Sequence, residues 1–162
     1  MARQAAVNPP ETDQHIAKMS ETARELVLSL DQIVWAVDPE NDSLESLANY
    51  ICRHASEFFE NSPIYCKFSI PRELPHCHLS TEVRHHLFLA VKEALNNALK
   101  HSGAKRVLLT ISVEARECNI SIADDGKGAG ADSEPGKNRR TGHGLVNMRE
   151  RLASIRGKFE MK

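Results

Sequence analysis

Apolar residues recur at alternating steps of three and four along Ile16, Met19, Ala23, Leu26, Leu30, Ile33 and Val37. That is a heptad seam over about three repeats. It predicts a helix over residues 15–40, after a loose tail over residues 1–14 in which "NPPETD" breaks regular structure. Pro39 ends the helix. Such a helix can pack on its own domain or pair with other helices, and a seam this regular, ahead of the main core, favours pairing. Leu44, Leu47, Ile51, Ala55 and Phe58 mark the buried stripe of a second helix, with Asp42 as its cap and Glu45 three residues on, as in a capping box. Ile64 to Ile70 alternates and reads as a strand closed by Pro71. Ser80 caps a long helix that runs to about His101 and stops at Gly103. Val107, Leu109, Ile111 and Val113 alternate with polar residues, and Cys118, Ile120 and Ile122 do so again after a short turn around Arg116. Leu145, Met148, Leu152 and Ile155 mark a final helix. Together these elements predict an α+β domain over residues 41–162. Helices cover one face of a mixed, mostly antiparallel sheet, and a coiled-coil-like helix precedes it.

A length of 162 residues suits one domain with a real core plus an appendage. Hydrophobic residues make up 41% and charged residues 27%, as in an ordinary soluble protein. A net charge of -1 supplies no field to attract nucleic acid or anionic lipid. No apolar run approaches the roughly 18 residues of a membrane span, and the N-terminus lacks an apolar signal core, so the expected location is cytoplasmic. Cys52, Cys66, Cys77 and Cys118 form no C-x-x-C pair, which suits reduced thiols. "HCH" (His76, Cys77, His78) offers three ligand types, but adjacent side chains diverge and no second ligand pair stands at finger spacing. A polar loop after Pro75 is the plainer reading.

Chemistry concentrates in three places. On a wheel of roughly 100° per residue, Leu87, Val91, Ala94, Leu95 and Ala98 form the core stripe of the long helix, while Glu93, Asn97, Lys100 and His101 share another. A solvated face would explain that second stripe. Downstream, alternation places Asp124 on the face of Cys118, Ile120 and Ile122. A carboxylate directed at a core needs hydrogen-bond donors, such as an adenine amino group or the backbone of a tight turn. Gly126 and Gly128 follow at alternate positions and allow close approach of the backbone. Residues 129–141 read as a long Gly-rich, charged loop of the kind that usually carries function. "GHGL" (Gly142, His143, Gly144, Leu145) opens the final helix, where exposed N–H groups bind phosphate. No Walker loop occurs.

"EALNNALKH", "DDGKG" and "GHGLVNMRERL", in this order and spacing, resemble the ATP-binding boxes of the Bergerat-fold superfamily of gyrase, heat-shock chaperone, histidine kinase and mismatch-repair ATPases. The first and third, with "ELVLSLDQIVWAVDPENDSLESLANYI", are similar to sensor histidine kinases of the nitrate-sensor type. The resemblance covers about residues 15–160. It implies ATP and Mg²⁺ as cofactors, with Mg²⁺ on Asn97 and Glu93 positioning or activating the attacking group. Lys100 and His101 would lie near phosphates or ribose. Asp124 would accept from the adenine amino group, with Gly126 and Gly128 shaping the pocket. Residues 129–141 would form a lid, and Gly142, His143, Gly144 and Leu145 would bound it at the helix mouth. The implied partners are a phosphoacceptor histidine helix, a response regulator and, through residues 15–40, a second copy of the chain.

The chain departs from that pattern twice. The family's acceptor is a His followed by Asp, whereas His15 is followed by Ile16 and no His-Asp pair occurs. The family's Gly-Thr-bearing strand would also lie beyond Lys162, so the expectation is a segment of a larger kinase, with no self-phosphorylation by this chain alone. Two other readings stay open: an anti-sigma-type serine kinase on the same fold, and a nucleotide-binding or dimerising module without transfer activity.

Overall fold

The computed structural model describes residues 9–115, 117–128 and 142–161. The chain forms two compact units, one ending at Val37 and the other beginning at Asp38.

The first unit is a single helix, α1 (Pro9–Val37). It starts ahead of the boundary expected at residue 15, because Pro9 and Pro10 stand in the first turn, where a missing N–H costs no hydrogen bond. Six of its seven seam positions are large apolar side chains, and all six are exposed, Met19 most of all at 71%.

The second unit opens with a short 3-10 turn (Pro39–Asn41), capped by Asp38, whose Oδ1 accepts from Glu40 N at 3.0 Å. α2 (Leu44–Phe59) follows. Its cap is Ser43 rather than the expected Asp42: Ser43 Oγ accepts from Ser46 N at 3.1 Å. Asp42 is occupied otherwise. Its carbonyl accepts from Leu79 N and its Oδ2 lies 3.0 Å from His78 Nε2. The Asp42–Glu45 capping box therefore does not form. The buried stripe of α2 is Leu44, Leu47, Ala48, Ile51, Ala55 and Phe59. Phe59, not Phe58, completes it; Phe58 is half-buried and stacks edge-on against Phe59 at 5.1 Å.

β1 (Tyr65–Ser69) leads through the 70–80 segment to α3 (Thr81–Asn97), capped by Ser80, whose Oγ accepts from Val83 N. β2 (Arg106–Glu114) and β3 (Glu117–Asp124) complete a three-stranded sheet in the order β1-β2-β3. β1 pairs parallel with β2, and β2 pairs antiparallel with β3, the mixed arrangement expected. A parallel neighbour requires a crossover, and α3 is that crossover. Val107, Leu109 and Ile111 of β2 are buried, as are Phe88, Val91 and Leu95 of α3 and Ala98 just past it. α4 (Gly142–Ser154) lies along α3 and buries Met148.

The interior also holds His54 of α2. Its Nε2 is buried without a hydrogen-bond partner, and its ring meets Phe88 edge-on at 5.0 Å. Burial, and then the nearby Lys92 cation, hold its pKa below the ordinary 6.5; Glu57 opposes them more weakly. The unfolded chain therefore binds this proton more readily than the folded one. Stability is intact above pH 6.5 and falls as pH drops through 6.5 toward the depressed folded value. In melting curves, the loss of melting temperature between pH 7.5 and 5 should be smaller in His54→Leu than in the unchanged protein. Parallel curves would refute this reading of His54.

Candidate functional site

The site grows from an irregularity in the long helix. Past Asn97 the backbone widens into a π turn (Ala98–Ser102), which Gly103 terminates at φ 64°, a left-handed conformation suited to glycine. A π turn bonds i to i+5, so the angular spacing of the α-helix stops applying at Ala98. Glu93 and Asn97 lie before it, one turn apart, and both are half-buried. Lys100 and His101 lie on it, and both are exposed.

Ser102 is the knot between this turn and the sheet. Its buried hydroxyl donates to Ala98 O and accepts from Ala104 N at 2.9 Å, while its carbonyl accepts from Lys127 N at 3.0 Å. The strand-end loop is thus tied directly to the C-terminal end of α3. Gly126 packs so closely here that an added Cβ would overlap Ser102 O and lie 2.7 Å from Ser102 Cβ and 2.8 Å from Asp124 Oδ1. Gly128 has φ 73°, again a left-handed backbone.

The two aspartates of "DDGKG" divide the work. Asp124 stands opposite Val107 in the register, on the face that carries the core, as the alternation predicts. It is nevertheless exposed, because the strand ends there. Its Oδ1 accepts from Gly126 N at 3.0 Å, so a tight turn already supplies one of the donors that the sequence demanded. Asp125 is committed to the backbone. Its Oδ1 accepts from both Lys105 N and Arg106 N at 2.8 Å, and those two bonds hold its carboxyl below the usual range. Sequence reasoning missed Asp125 and Ser102. Ser102 left one legible hint, a serine four residues past Ala98, able to bond back to its carbonyl.

α4 begins at Gly142, as expected, and its first turn meets α3. A Cβ at Gly144 would overlap Glu93 Oε1, so the Glu93 carboxylate rests against the opening turn of α4. The positive end of a helix dipole suits a carboxylate there. Leu145 is half-buried in the same turn. The His143 side chain and residues 129–141, the expected lid, lie outside the described residues. Two surface depressions, one where α2 faces Ile70–His76 and one along Pro63–Cys66, are lined by none of Glu93, Asn97 or Asp124.

The loop that follows Asp124 is therefore tied to the turn ending the helix that bears Glu93 and Asn97, and the mouth of α4 rests on Glu93. Among the described residues no three His, Cys, Asp or Glu form a metal cage, and the "HCH" segment is a loop in which His78 contacts Asp42. No helix among them is long and apolar enough to cross a membrane.

Three comparisons with known proteins bear on the family and the fold. The sequence profile of the histidine kinase-, DNA gyrase B- and HSP90-like ATPases matches residues 82–162. The sensor histidine kinase LiaS of Bacillus subtilis is 30% identical over 105 residues, 65% of this chain and 27% of LiaS. The nitrate/nitrite sensor protein NarX of Escherichia coli is 32% identical over 96 residues, 59% of this chain and 14% of NarX. The chain thus spans only a small part of these relatives. In three dimensions the fold is similar to the histidine kinase domain of the Erythrobacter litoralis EL346 blue-light activated histidine kinase, with a TM-score of 0.55 and 21% identity, over 78% of this chain and 65% of that one.

Proposed function

The chain belongs to the histidine kinase-, DNA gyrase B- and HSP90-like ATPase family, and from that we propose that residues 41–162 are the ATP-binding catalytic module of a sensor histidine kinase. In this reading the module transfers the γ-phosphate of ATP to a histidine outside the chain. Residues 15–40 contribute a helix to a dimeric stem, which the exposed apolar seam of α1 supports. The remaining partners are the phosphoacceptor helix and a response regulator.

The observation that carries the reading is the Ser102–Gly126 junction, which brings Asp124 to the end of the helix that bears Glu93 and Asn97. The residues fit the cofactor. An amide oxygen and a carboxylate one turn apart are hard donors suited to Mg²⁺ and its waters. Asp124 retains acceptor capacity beyond its one bond to Gly126 N, enough for an adenine amino group. When bound, Mg²⁺ would neutralise phosphate charge, the main requirement of phosphoryl transfer. Within the chain, Asn97 would hold the metal and Glu93 would orient or deprotonate the attacking imidazole. Lys100 and His101 would lie near phosphate or ribose. Gly126 and Gly128 would shape the adenine pocket, and Gly142, His143, Gly144 and Leu145 would present the opening turn of α4 to the phosphates.

Calorimetric titration with ATP tests this. Binding should require Mg²⁺, and Asn97→Asp and Asp124→Ala should each weaken it at least about tenfold, the equivalent of about 1.4 kcal/mol. Equal affinity in all three proteins would sink the assignment. Labelled ATP with an acceptor helix supplied in trans then separates a kinase from a module that only binds nucleotide.

A further inference from the structure

α3 and α4 touch at two places with matched spacing. At one, Glu93 meets Gly144. At the other, His86 Nδ1 lies 3.0 Å from Arg151 O and 2.8 Å from Ser154 Oγ, and Ser154 Oγ donates to Arg151 O at 2.8 Å. His86 precedes Glu93 by two helical turns, and Arg151 follows Gly144 by two. The helices therefore run antiparallel, with contacts about 10 Å apart along each axis. Met148, buried at 3% exposure, fills the space between. Arg151 is in the last turn of α4, where carbonyls lack an intrahelical partner. A carbonyl can only accept, so Nδ1 of His86 carries the proton.

From this geometry we propose that His86 is a positioning residue for the nucleotide site. By joining Ser154 Oγ as a second donor to the last-turn carbonyl of Arg151, it links α3 to the end of α4 and fixes how that helix lies on α3, and so where the Gly144 turn sits over Glu93. The inference rests on the functional reading above only in the role given to that turn. Because both ends of α4 bear on the same face of α3, release at Arg151 lets the helix pivot about Met148. The opening turn then leaves its place.

The test uses the whole chain labelled with ¹⁵N-glycine. His86→Ala should move the Gly144 amide resonance and weaken ATP binding about fivefold, the effect of one lost hydrogen bond. His86→Asn, whose amide N–H can occupy the place of Nδ1–H, should restore both. Ser154→Ala is the milder variant should His86→Ala fail to fold, and it should move the same resonance. An unmoved Gly144 resonance with a lowered melting temperature would overturn the proposal and leave His86 a stabilising tether. Failure of the unchanged protein to bind ATP would overturn the functional reading instead, while the Gly144 resonance would still report on the tether.

Discussion

Gly126→Ala should lower stability by about 3 kcal/mol and remove ATP binding, whereas Gly128→Ala should cost only about 1 kcal/mol. The two glycines lie two residues apart, but their surroundings differ. A Cβ at Gly126 meets the backbone oxygen of Ser102, which cannot swing aside as a flexible side chain would. Ser102 is itself held by bonds to Ala98 and Ala104. The loop must therefore lift away, breaking the Lys127 N bond to Ser102 O and the Gly126 N bond to Asp124. At Gly128 nothing among the described residues lies within 4 Å of an added Cβ, and the penalty is a side chain at φ 73°. Urea unfolding midpoints with parallel ATP titrations check both. Equal losses in the two variants would mean that the Ser102 contact is not what holds the loop.

Arg84→Ala should destabilise the fold further, by about 4 kcal/mol. Arg84 is 2% exposed and close to the start of α3, where a cation meets the unfavourable end of the helix dipole. Carbonyls offset this. Nη1 donates to Leu79 O at 2.7 Å, and Nη2 donates to Asp38 O at 3.2 Å and to Thr81 Oγ1 at 3.5 Å. The guanidinium thus fastens the first residue of the second unit to the helix that bears Glu93 and Asn97. Truncation leaves those part-buried bonds without their donor and opens a cavity at the buried Arg84 position. Lysine keeps the charge but loses the planar fork, so Arg84→Lys should cost about half as much. Equilibrium denaturation measures both, and an Arg84→Ala loss below that of an ordinary surface substitution would refute the assigned role.

What could be read from the chain divides by the range of the forces involved. Alternation through Val107–Val113 and Cys118–Ile122 reports burial on one face, and those strands and their shared face appear as expected. Gly103 as the helix stop is equally local. The π turn is not legible, since i to i+5 bonding has no compositional signature, and its Ser102 bonds a loop more than twenty residues away in sequence. The shift of the α2 cap from Asp42 to Ser43 has the same origin: the competing bond to Leu79 is distant in sequence. Alternation placed Asp124 on the correct face but said nothing about where helical cover ends, and its exposure depends on that. For the site, the residue types were visible, while the junction that gathers them was not.

The parallel pairing of β1 with β2 has a kinetic consequence. The β2–β3 hairpin closes over a few residues, whereas Tyr65 must find Arg106 across about forty, with α3 folded between them. Closing the longer loop carries the larger entropic cost and sets the pace of assembly. Since the helix that bears Glu93 and Asn97 is that same connection, a chain caught with only its hairpin formed presents no organised pocket for nucleotide. Ligand then captures the completed topology alone, slowing its unfolding rather than hastening its formation.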